Sequence, residues 1–160
     1  NNMFKKLFKK IDSGISSVYG KMLPEDYVLF LKNNPNGSGF TFNEYSDESS
    51  DGEGRYWALM NEKDLLHSWE MNDVGEARNF ECLKLYVAVQ KEFNETGSTT
   101  SNVGDINLGR VQNGFVFAEE NGDYLYFDSS DSNSVWIYYY DGGDVLKIAD
   151  SFSELAITDM

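Results

Sequence analysis

The chain has 160 residues, of which 41% are hydrophobic and 15% aromatic, so it can bury one sizeable core and is not largely disordered. It carries 27 acidic and 13 basic residues, which gives a formal net charge of -14 at pH 7. Such a field repels phosphate backbones, so the composition argues against nucleic-acid binding and favours a basic protein partner.

Cysteine content and hydropathy bear on where the protein works. Cys82 is the sole cysteine, so no internal disulfide can form, and no stretch approaches the roughly 18 apolar residues of a membrane helix. The first 20 residues lack the apolar run of a secretory signal. We therefore expect one cytoplasmic domain over residues 1–160, with its core at 22–157 and no membrane span.

Residues 3–18 form the first predicted helix, because their apolar side chains recur at spacings of three and four. Lysines occupy much of the remaining surface of its first turns. Two interpretations are open, a helix on a membrane surface and a helix packed on the domain with a solvated basic face. The small number of lysines and the Ser13-Gly14 pair favour the packed helix. The apolar residues are Phe4, Leu7, Phe8, Ile11, Ile15 and Val18.

A second helix begins at Pro24, because proline at a first helical position loses no needed hydrogen bond and acids follow it. The stretch 33–37 ends this helix, and 39–42 is the first predicted strand. An acidic loop at 44–53 separates that strand from its predicted partner at 55–60. The helix is expected to bury Tyr27, Val28, Phe30 and Leu31.

The middle of the chain is predicted to be helical. Asn61 is a helix cap, and the helix it opens is expected to run from Glu62 to Met71, with Leu65, Leu66 and Trp69 inward. The stretch 80–93 fits either an alternating strand or a helical stripe through Cys82, Tyr86, Val89 and Phe93; its length favours a helix. Residues 94–105 are predicted to be a polar linker.

The last third reads as an antiparallel meander, because apolar runs at 115–118, 124–127, 135–140 and 145–148 are separated by turn signals. The Asn121-Gly122 pair suits a tight hairpin turn. Ser151 and Glu154 have capping-box spacing, which predicts a short C-terminal helix through Phe152, Leu155 and Ala156.

Residues of the usual catalytic and metal-binding types are scarce. His67 is the only histidine, and Cys82 lies fifteen residues from it in a stretch with no recognisable nucleophile motif. A structural zinc site draws four ligands mostly from histidine and cysteine, and the chain has one of each. The run from Asp47 to Gly52 imitates a calcium loop, but its twelfth position is Ala58 in place of glutamate. We therefore predict no catalytic residue, no metal site and no cofactor.

Neither phosphate-binding motifs nor paired carboxylates change this expectation. Gly52-x-Gly54 lacks the third glycine of a dinucleotide fingerprint, because Trp57 stands there. Glu119 and Glu120 could serve as an acid and base pair, but adjacent acids arise by chance in so acidic a chain. A solvated turn is the favoured interpretation of these two residues.

Strand alternation and charge point to one candidate surface. If alternation places Leu125, Phe127, Val135, Ile137 and Tyr139 in the core, the opposite face is aromatic and would form a binding hot spot unless helices cover it. Seven acids and no basic residue lie between Arg110 and Lys147. The alternative is that the N-terminal helices cover this face and the acids lie in solvated turns. The candidate partner-binding residues are Tyr124, Tyr126, Trp136, Tyr138, Tyr140, Glu119, Glu120, Asp123 and Asp128.

Several short motifs together resemble the SUKH superfamily, which includes a fungal cell-wall synthesis regulator domain and many bacterial immunity proteins. The resemblance implies an α+β fold with a mostly antiparallel twisted sheet of about five to six strands, flanked by N-terminal helices, middle helices and a short C-terminal helix. It carries no shared set of binding residues to this chain. The motifs are Leu23-Pro24-Glu25-Asp26-Tyr27-x-x-Phe30-Leu31, Asn36-Gly37, Ala118-x-x-Asn121-Gly122-Asp123-Tyr124-x-Tyr126-Phe127-Asp128, Val135-x-x-Tyr138 and Ala149-x-Ser151-Phe152-x-x-Leu155.

The resemblance implies a non-enzymatic bacterial protein that binds and neutralises a cognate toxin. A regulatory or scaffold module unrelated to toxins is the alternative, and an enzyme that uses paired carboxylates is a third hypothesis. The expected partner is the toxin or another basic protein, and a homodimer is also compatible with the sequence.

Overall fold

The structure, a computed structural model, describes Tyr19, residues 21–42 and residues 54–155. The predicted helix at 3–18 and the predicted acidic loop at 44–53 lie outside these ranges. The helices and strands, in chain order, are α1 (Glu25–Asn33), β1 (Ser38–Phe42), β2 (Arg55–Leu59), α2 (Glu62–Leu66), β3 (Ser68–Met71), β4 (Gly75–Arg78), α3 (Leu83–Phe93), β5 (Ser98–Thr99), β6 (Ile106–Asn107), α4 (Leu108–Val111), β7 (Phe115–Glu120), β8 (Asp123–Asp128), β9 (Ser134–Tyr138) and β10 (Val145–Ala149).

The fold is α+β, as predicted, and is built around one antiparallel sheet in the order β1-β2-β7-β8-β9-β10. Two small hairpins, β3-β4 and β5-β6, lie outside this sheet. Short 3-10 turns at Asn79–Glu81, Ser129–Asp131 and Phe152–Glu154 connect or follow the main elements. Within the described ranges, no helix is long and apolar enough to cross a membrane.

The C-terminal meander follows the sequence prediction closely. Asn121 and Gly122 form the β7-β8 turn with positive φ angles of 47° and 88°, the backbone that a tight hairpin turn needs. β2 joins the meander by pairing Leu59 with Ala118. The strand predicted at 135–140 ends at Tyr138, because the chain turns away there toward β10.

One face of the sheet packs against α1. The Tyr27 ring lies 5.5 Å from Phe117, 5.0 Å from Phe127 and 5.3 Å from Phe152, measured between ring centroids. Phe117 and Phe127 stack at 4.3 Å. Each such side chain contributes about 1.5–3 kcal/mol on burial, so this aromatic cluster stabilises the packing of α1 on the sheet. The four residues predicted to be buried on α1 are all buried.

The opposite face of the sheet packs against α3, so the helical interpretation of 80–93 is confirmed. The Tyr86 ring lies 5.6 Å from Tyr124 and 6.2 Å from Tyr138. Farther along this face, the guanidinium of Arg110 from α4 lies 5.5 Å above the Trp136 ring. The aromatic face is therefore covered, and middle helices cover it instead of the predicted N-terminal ones.

The predicted helix from Glu62 to Met71 is wrong in its second half. Its start is confirmed, because the Asn61 side chain accepts a hydrogen bond from the amide of Asp64 at 2.8 Å. The helix ends at Leu66, which is exposed although it was expected to point inward.

Strand β3 replaces the missing half of that helix and pairs with β4. The Trp69 indole donates to Asn79 Oδ1 at 2.9 Å, and Asn79 Nδ2 donates to the carbonyl of Asp64 at 2.7 Å. These bonds hold the hairpin against the end of α2. The tertiary pairing outweighs the helical pattern of the sequence, because residues 72–74 turn the chain back on itself.

The predicted linker at 94–105 closes one edge of the sheet. Asn102 Nδ2 donates to the carbonyl of Lys147, and the Lys147 amide donates to Asn102 Oδ1, both at 2.9 Å. The amide of Val145 also donates to the carbonyl of Thr100 at 3.1 Å. The linker thus occupies backbone groups of β10 that would otherwise be open to another chain.

The predicted C-terminal capping box does not form, because Glu154 accepts the amide of Asp150 and not that of Ser151. Phe152 and Leu155 are buried, and Glu154 Oε2 accepts the amide of Asp150 at 3.0 Å. In the described part of the chain, Ser151 gives no side-chain cap and the turn is a single 3-10 turn. Ala156 lies outside the described residues.

Candidate functional site

A groove of about 1250 Å³ opens on the α3 side of the sheet. The C-terminal half of α3 forms one wall, the segment 94–100 forms another, and Tyr138 of β9 lies at the base. The loop between β9 and β10, residues 139–144, completes the rim. The groove exceeds the 300–1,000 Å³ of ordinary small-molecule sites, so it has room for several side chains of a protein partner.

Helix α3 supplies the apolar wall because residues three and four apart share one helix face. Tyr86, Val89 and Phe93 follow this spacing and all line the groove. Phe93 is the last residue of the helix and is 83% exposed. An exposed aromatic ring at the rim of a groove is the type of side chain that partners use as an anchor.

The 139–144 loop is held in place from outside the groove. Asp123 accepts the Tyr140 amide through Oδ1 at 2.8 Å and Arg55 Nη1 through Oδ2 at 2.7 Å. Within the loop, the Tyr139 amide donates to the carbonyl of Asp144, and the Gly143 amide donates back to the Tyr139 carbonyl, both at 3.0 Å. Asp123 therefore positions Tyr140 through its backbone.

A partly buried hydrogen-bond network joins α3 to this loop. Gln90 Nε2 donates to the carbonyl of Gly143, and Gln90 Oε1 accepts from the hydroxyl of Tyr138, both at 3.0 Å. The hydroxyl of Thr99 also donates to the Gly143 carbonyl at 2.8 Å. Three walls of the groove thus meet at Gly143, which makes the base of the groove a preformed surface.

The tyrosines below the groove are held neutral. Burial raises the pKa of Tyr86 above its ordinary value, and it raises the pKa of Tyr124 and Tyr138 further. The hydroxyls of Tyr86 and Tyr124 lie 3.1 Å apart. These rings therefore add no charge near neutral pH, and carboxylates set the local electrostatic field.

The rim of the groove is acidic. Glu95, Asp141 and Asp144 line it with exposed side chains, and no lysine or arginine is among the described lining residues. Within the described part of the chain, none of the three carboxylates forms an ion pair. A cleft lined by one sign of charge attracts groups of the opposite sign.

The five candidate aromatic residues differ in their burial and in whether they line the groove. Tyr124, Tyr126 and Trp136 are buried beneath the helices, which removes them from any exposed patch. Tyr138 is also buried but lies at the base of the groove. Tyr140 is 65% exposed, lines the groove, and packs edge-on against Tyr86 at 6.0 Å.

The four candidate acids lie outside the groove and most are paired. Glu120 and Asp123 both bind Arg55, at 2.6 and 2.7 Å. Asp128 is buried and binds Arg110 at 2.6 Å. Glu119 is exposed on β7. Whether any of them contacts a partner stays a prediction, but the arginines offset the charge of the three paired acids, which weakens the charge argument for a docking surface there.

The groove residues of α3 and of the segment after it were not among the predicted site residues. Phe93 and Tyr86 belong to the stripe that identified the helix, yet the spacing does not tell which end of the stripe reaches solvent. Gln90 and Glu95 carry no periodic signal. Their role depends on the contact between α3 and the 139–144 loop, 53 residues away in the chain at Gln90 and Gly143.

Most of the chain matches the model of one protein family. The model of the SMI1 / KNR4 family (SUKH-1) matches residues 15–157. The chain belongs to this family. Searches of curated proteins and of solved structures each found no match. Membership of the SUKH-1 family is consistent with an immunity or regulatory protein and suggests protein–protein interaction.

Reactive side chains of this SUKH-1 domain lie outside the groove. Cys82 is fully buried, and burial raises the pKa of its thiol to about 12, so the nucleophilic thiolate is disfavoured. His67 is exposed at the end of α2. Among the described residues, no three histidine, cysteine or acidic side chains come together as metal ligands. The groove of the SUKH-1 domain therefore offers shape, aromatic surface and charge.

Proposed function

We propose that this chain is a non-enzymatic immunity protein that binds and neutralises a cognate bacterial toxin in the cytoplasm, and that the groove is its toxin-binding site. Membership of the SUKH-1 family supports the general class. The observation that carries the site is the combination of two exposed aromatic rings, Phe93 and Tyr140, with three carboxylates around one preformed groove.

The exposed rings and the rim carboxylates suit a protein as the occupant of the groove. Aromatic anchors that leave water on binding dominate the energy of protein interfaces, while surrounding charges mainly steer association. An acidic rim suits a toxin whose active surface is basic. Blocking that surface needs only stable binding, and it requires no chemistry from the immunity protein.

A matched pair of tyrosine variants tests the site. Tyr140 in the groove and Tyr56 on β2 are exposed to similar extents, 65% and 57%. We expect Tyr140→Ala to weaken binding of the toxin encoded beside this gene about thirtyfold, as for a 2 kcal/mol hot spot, and to abolish rescue of toxin-expressing cells. Tyr56→Ala should bind and rescue like the wild type. Equal affinity of both variants would show that the toxin binds elsewhere.

The stoichiometry of neutralisation separates binding from catalysis. Titration of the toxin should reach full inhibition at one equivalent of this protein, and the complex should weaken as salt screens the rim charges. Full inactivation by a small fraction of an equivalent would indicate an enzyme. If the neighbouring genes encode no toxin and the protein rescues none, the regulatory or scaffold role replaces this proposal.

A further inference from the structure

The polar groups at the base of the groove are already satisfied by one another. Gln90 uses both ends of its amide on Tyr138 and Gly143, as described above. On the 94–100 wall, Asn94 Nδ2 donates to the carbonyl of Ser98 at 2.6 Å. Asn94 Oδ1 accepts from Thr96 at 2.7 Å. A neutral polar ligand would have to break these bonds, so the exposed rings and the rim carboxylates are what a partner can use.

The chain itself shows which side chain suits a ring beside a carboxylate. Its sequence contains three arginines, and all three place the guanidinium over an aromatic ring while pairing with an acid. The distances from Cζ to the ring centroid are 4.7, 4.6 and 5.5 Å. The sets are Arg55 with Trp57, Glu120 and Asp123; Arg78 with Phe80 and Glu81; and Arg110 with Trp136 and Asp128.

The groove presents the same two elements to solvent. Tyr140 and Phe93 provide exposed rings, and Asp141, Asp144 and Glu95 provide carboxylates without an ion pair in the described part of the chain. A planar guanidinium stacks on aromatic rings and forks to carboxylates, whereas the ammonium of lysine is more strongly hydrated. An anionic ligand is repelled.

We propose that the groove binds an arginine side chain of the protein partner, with the guanidinium against Tyr140 and between the carboxylates of Asp141 and Asp144. This inference rests on the proposed function for the nature of the partner, but it specifies the chemistry of the contact. Arginine is the selected residue, and lysine binds less tightly.

The test uses small probes and the full chain, so it does not require the toxin. Nitrogen-15 NMR spectra of the protein are recorded while N-acetyl-arginine N-methylamide is added, and again with the lysine and citrulline analogues. Citrulline matches the shape of arginine without its charge. We expect saturable shifts of amides at 139–144 and 93–96 with arginine, several-fold weaker binding of lysine, and no binding of citrulline.

Three variants keep this test decisive. Asp141→Asn with Asp144→Asn should weaken the arginine probe at least about fivefold, because the charge partner is lost. Tyr140→Leu should weaken it too, because an apolar side chain of similar bulk lacks the ring face. Asp105→Asn removes an exposed acid that does not line the groove and should change nothing.

Several results would overturn the inference. They are no saturable shifts with arginine, equal binding of citrulline or lysine, shifts confined to other acidic sites, or equal effects of Asp105→Asn. A toxin that still binds the groove while the arginine probe does not would remove this inference and leave the proposed function standing. Binding of the arginine probe in the groove without any toxin binding would support this inference and contradict the proposed function.

Discussion

The contact between Gly143 and Gln90 should determine how much a side chain at position 143 destabilises the groove loop. Gly142 and Gly143 are neighbours in the same loop and both have positive φ angles, 93° and 75°. A Cβ atom on Gly143 would lie 2.4 Å from Gln90 Nε2, whereas the nearest atom to a Cβ on Gly142 is Asp144 Oδ1 at 3.6 Å. The two alanine variants therefore share backbone strain and differ in the clash with Gln90.

The expected costs follow from these distances. A left-handed alanine costs about 1–2 kcal/mol, and the loss of glycine entropy in the unfolded chain returns about 0.4–1, so Gly142→Ala should cost about 1 kcal/mol. Gly143→Ala should also displace Gln90 and break its bonds to Gly143 and Tyr138. At about 1 kcal/mol each, these bonds raise the total cost to about 3 kcal/mol.

Urea unfolding of the two variants, alone and with Gln90→Ala, checks this reasoning. In the Gln90→Ala background there is no amide left to displace, so the cost of Gly143→Ala should fall to that of Gly142→Ala. If Gly143→Ala and Gly142→Ala cost the same in the wild-type background, Gln90 does not fix the loop. If the cost of Gly143→Ala is unchanged by Gln90→Ala, the clash lies elsewhere.

Three further predictions concern the rest of the fold. Asn102→Ala should lower the free energy of unfolding by about 1 kcal/mol, because Lys147 of β10 loses two hydrogen bonds that are exposed to water and are each worth about 0.5 kcal/mol. The variant should also show concentration-dependent association in sedimentation, and unchanged stability and mass would contradict this prediction. Cys82 should not react with Ellman's reagent in the folded protein but should react fully in urea, and fast labelling in native buffer would contradict its burial. Burial raises the pKa of Tyr124 above its unfolded value of 10.0, so the contribution of its neutral hydroxyl to stability is present below pH 10 and is lost as the pH rises further. Urea unfolding at rising pH should therefore show a smaller loss of stability in Tyr124→Phe than in the wild type, and an equal loss in both proteins would refute this.

The sequence predicts best where local signals and the final packing agree. The first three meander strands contain continuous apolar runs that are buried along most of their length, and the hairpin turn carries Asn121 and Gly122, so local preference and tertiary pairing lead to the same structure. The stretch after Leu66 shows the opposite case. Its helical spacing is real, but pairing of 68–71 with 75–78 gives a hairpin that local spacing does not encode.

The chemistry of the candidate site could be predicted from the sequence, but its position in the fold could be predicted only in part. Aromatic and acidic residues near the end of β9 drew attention to the right region, and Tyr140 does line the groove. Alternation alone cannot say whether a face is covered, because that depends on where α3 packs. Burial of Tyr124, Tyr126 and Trp136 follows from that packing and from α4.

The acidic residues of the chain include some that pair with arginine and some that form no ion pair in the described part of the chain, and the sequence does not distinguish the two. Asp123 and Asp141 both lie in the arginine- and lysine-free stretch from 111 to 146, so a charge map counts them alike. Arg55, 68 residues before Asp123, pairs with that carboxylate, and Asp123 in turn holds the loop that carries Asp141 by accepting the amide of Tyr140. Asp123 therefore helps to position the groove loop, whereas Asp141 contributes negative charge at the groove rim. Only the long-range contact between Asp123 and Arg55 distinguishes these two roles. A cationic partner should therefore respond to loss of Asp141 directly and to loss of Asp123 through the position of Tyr140.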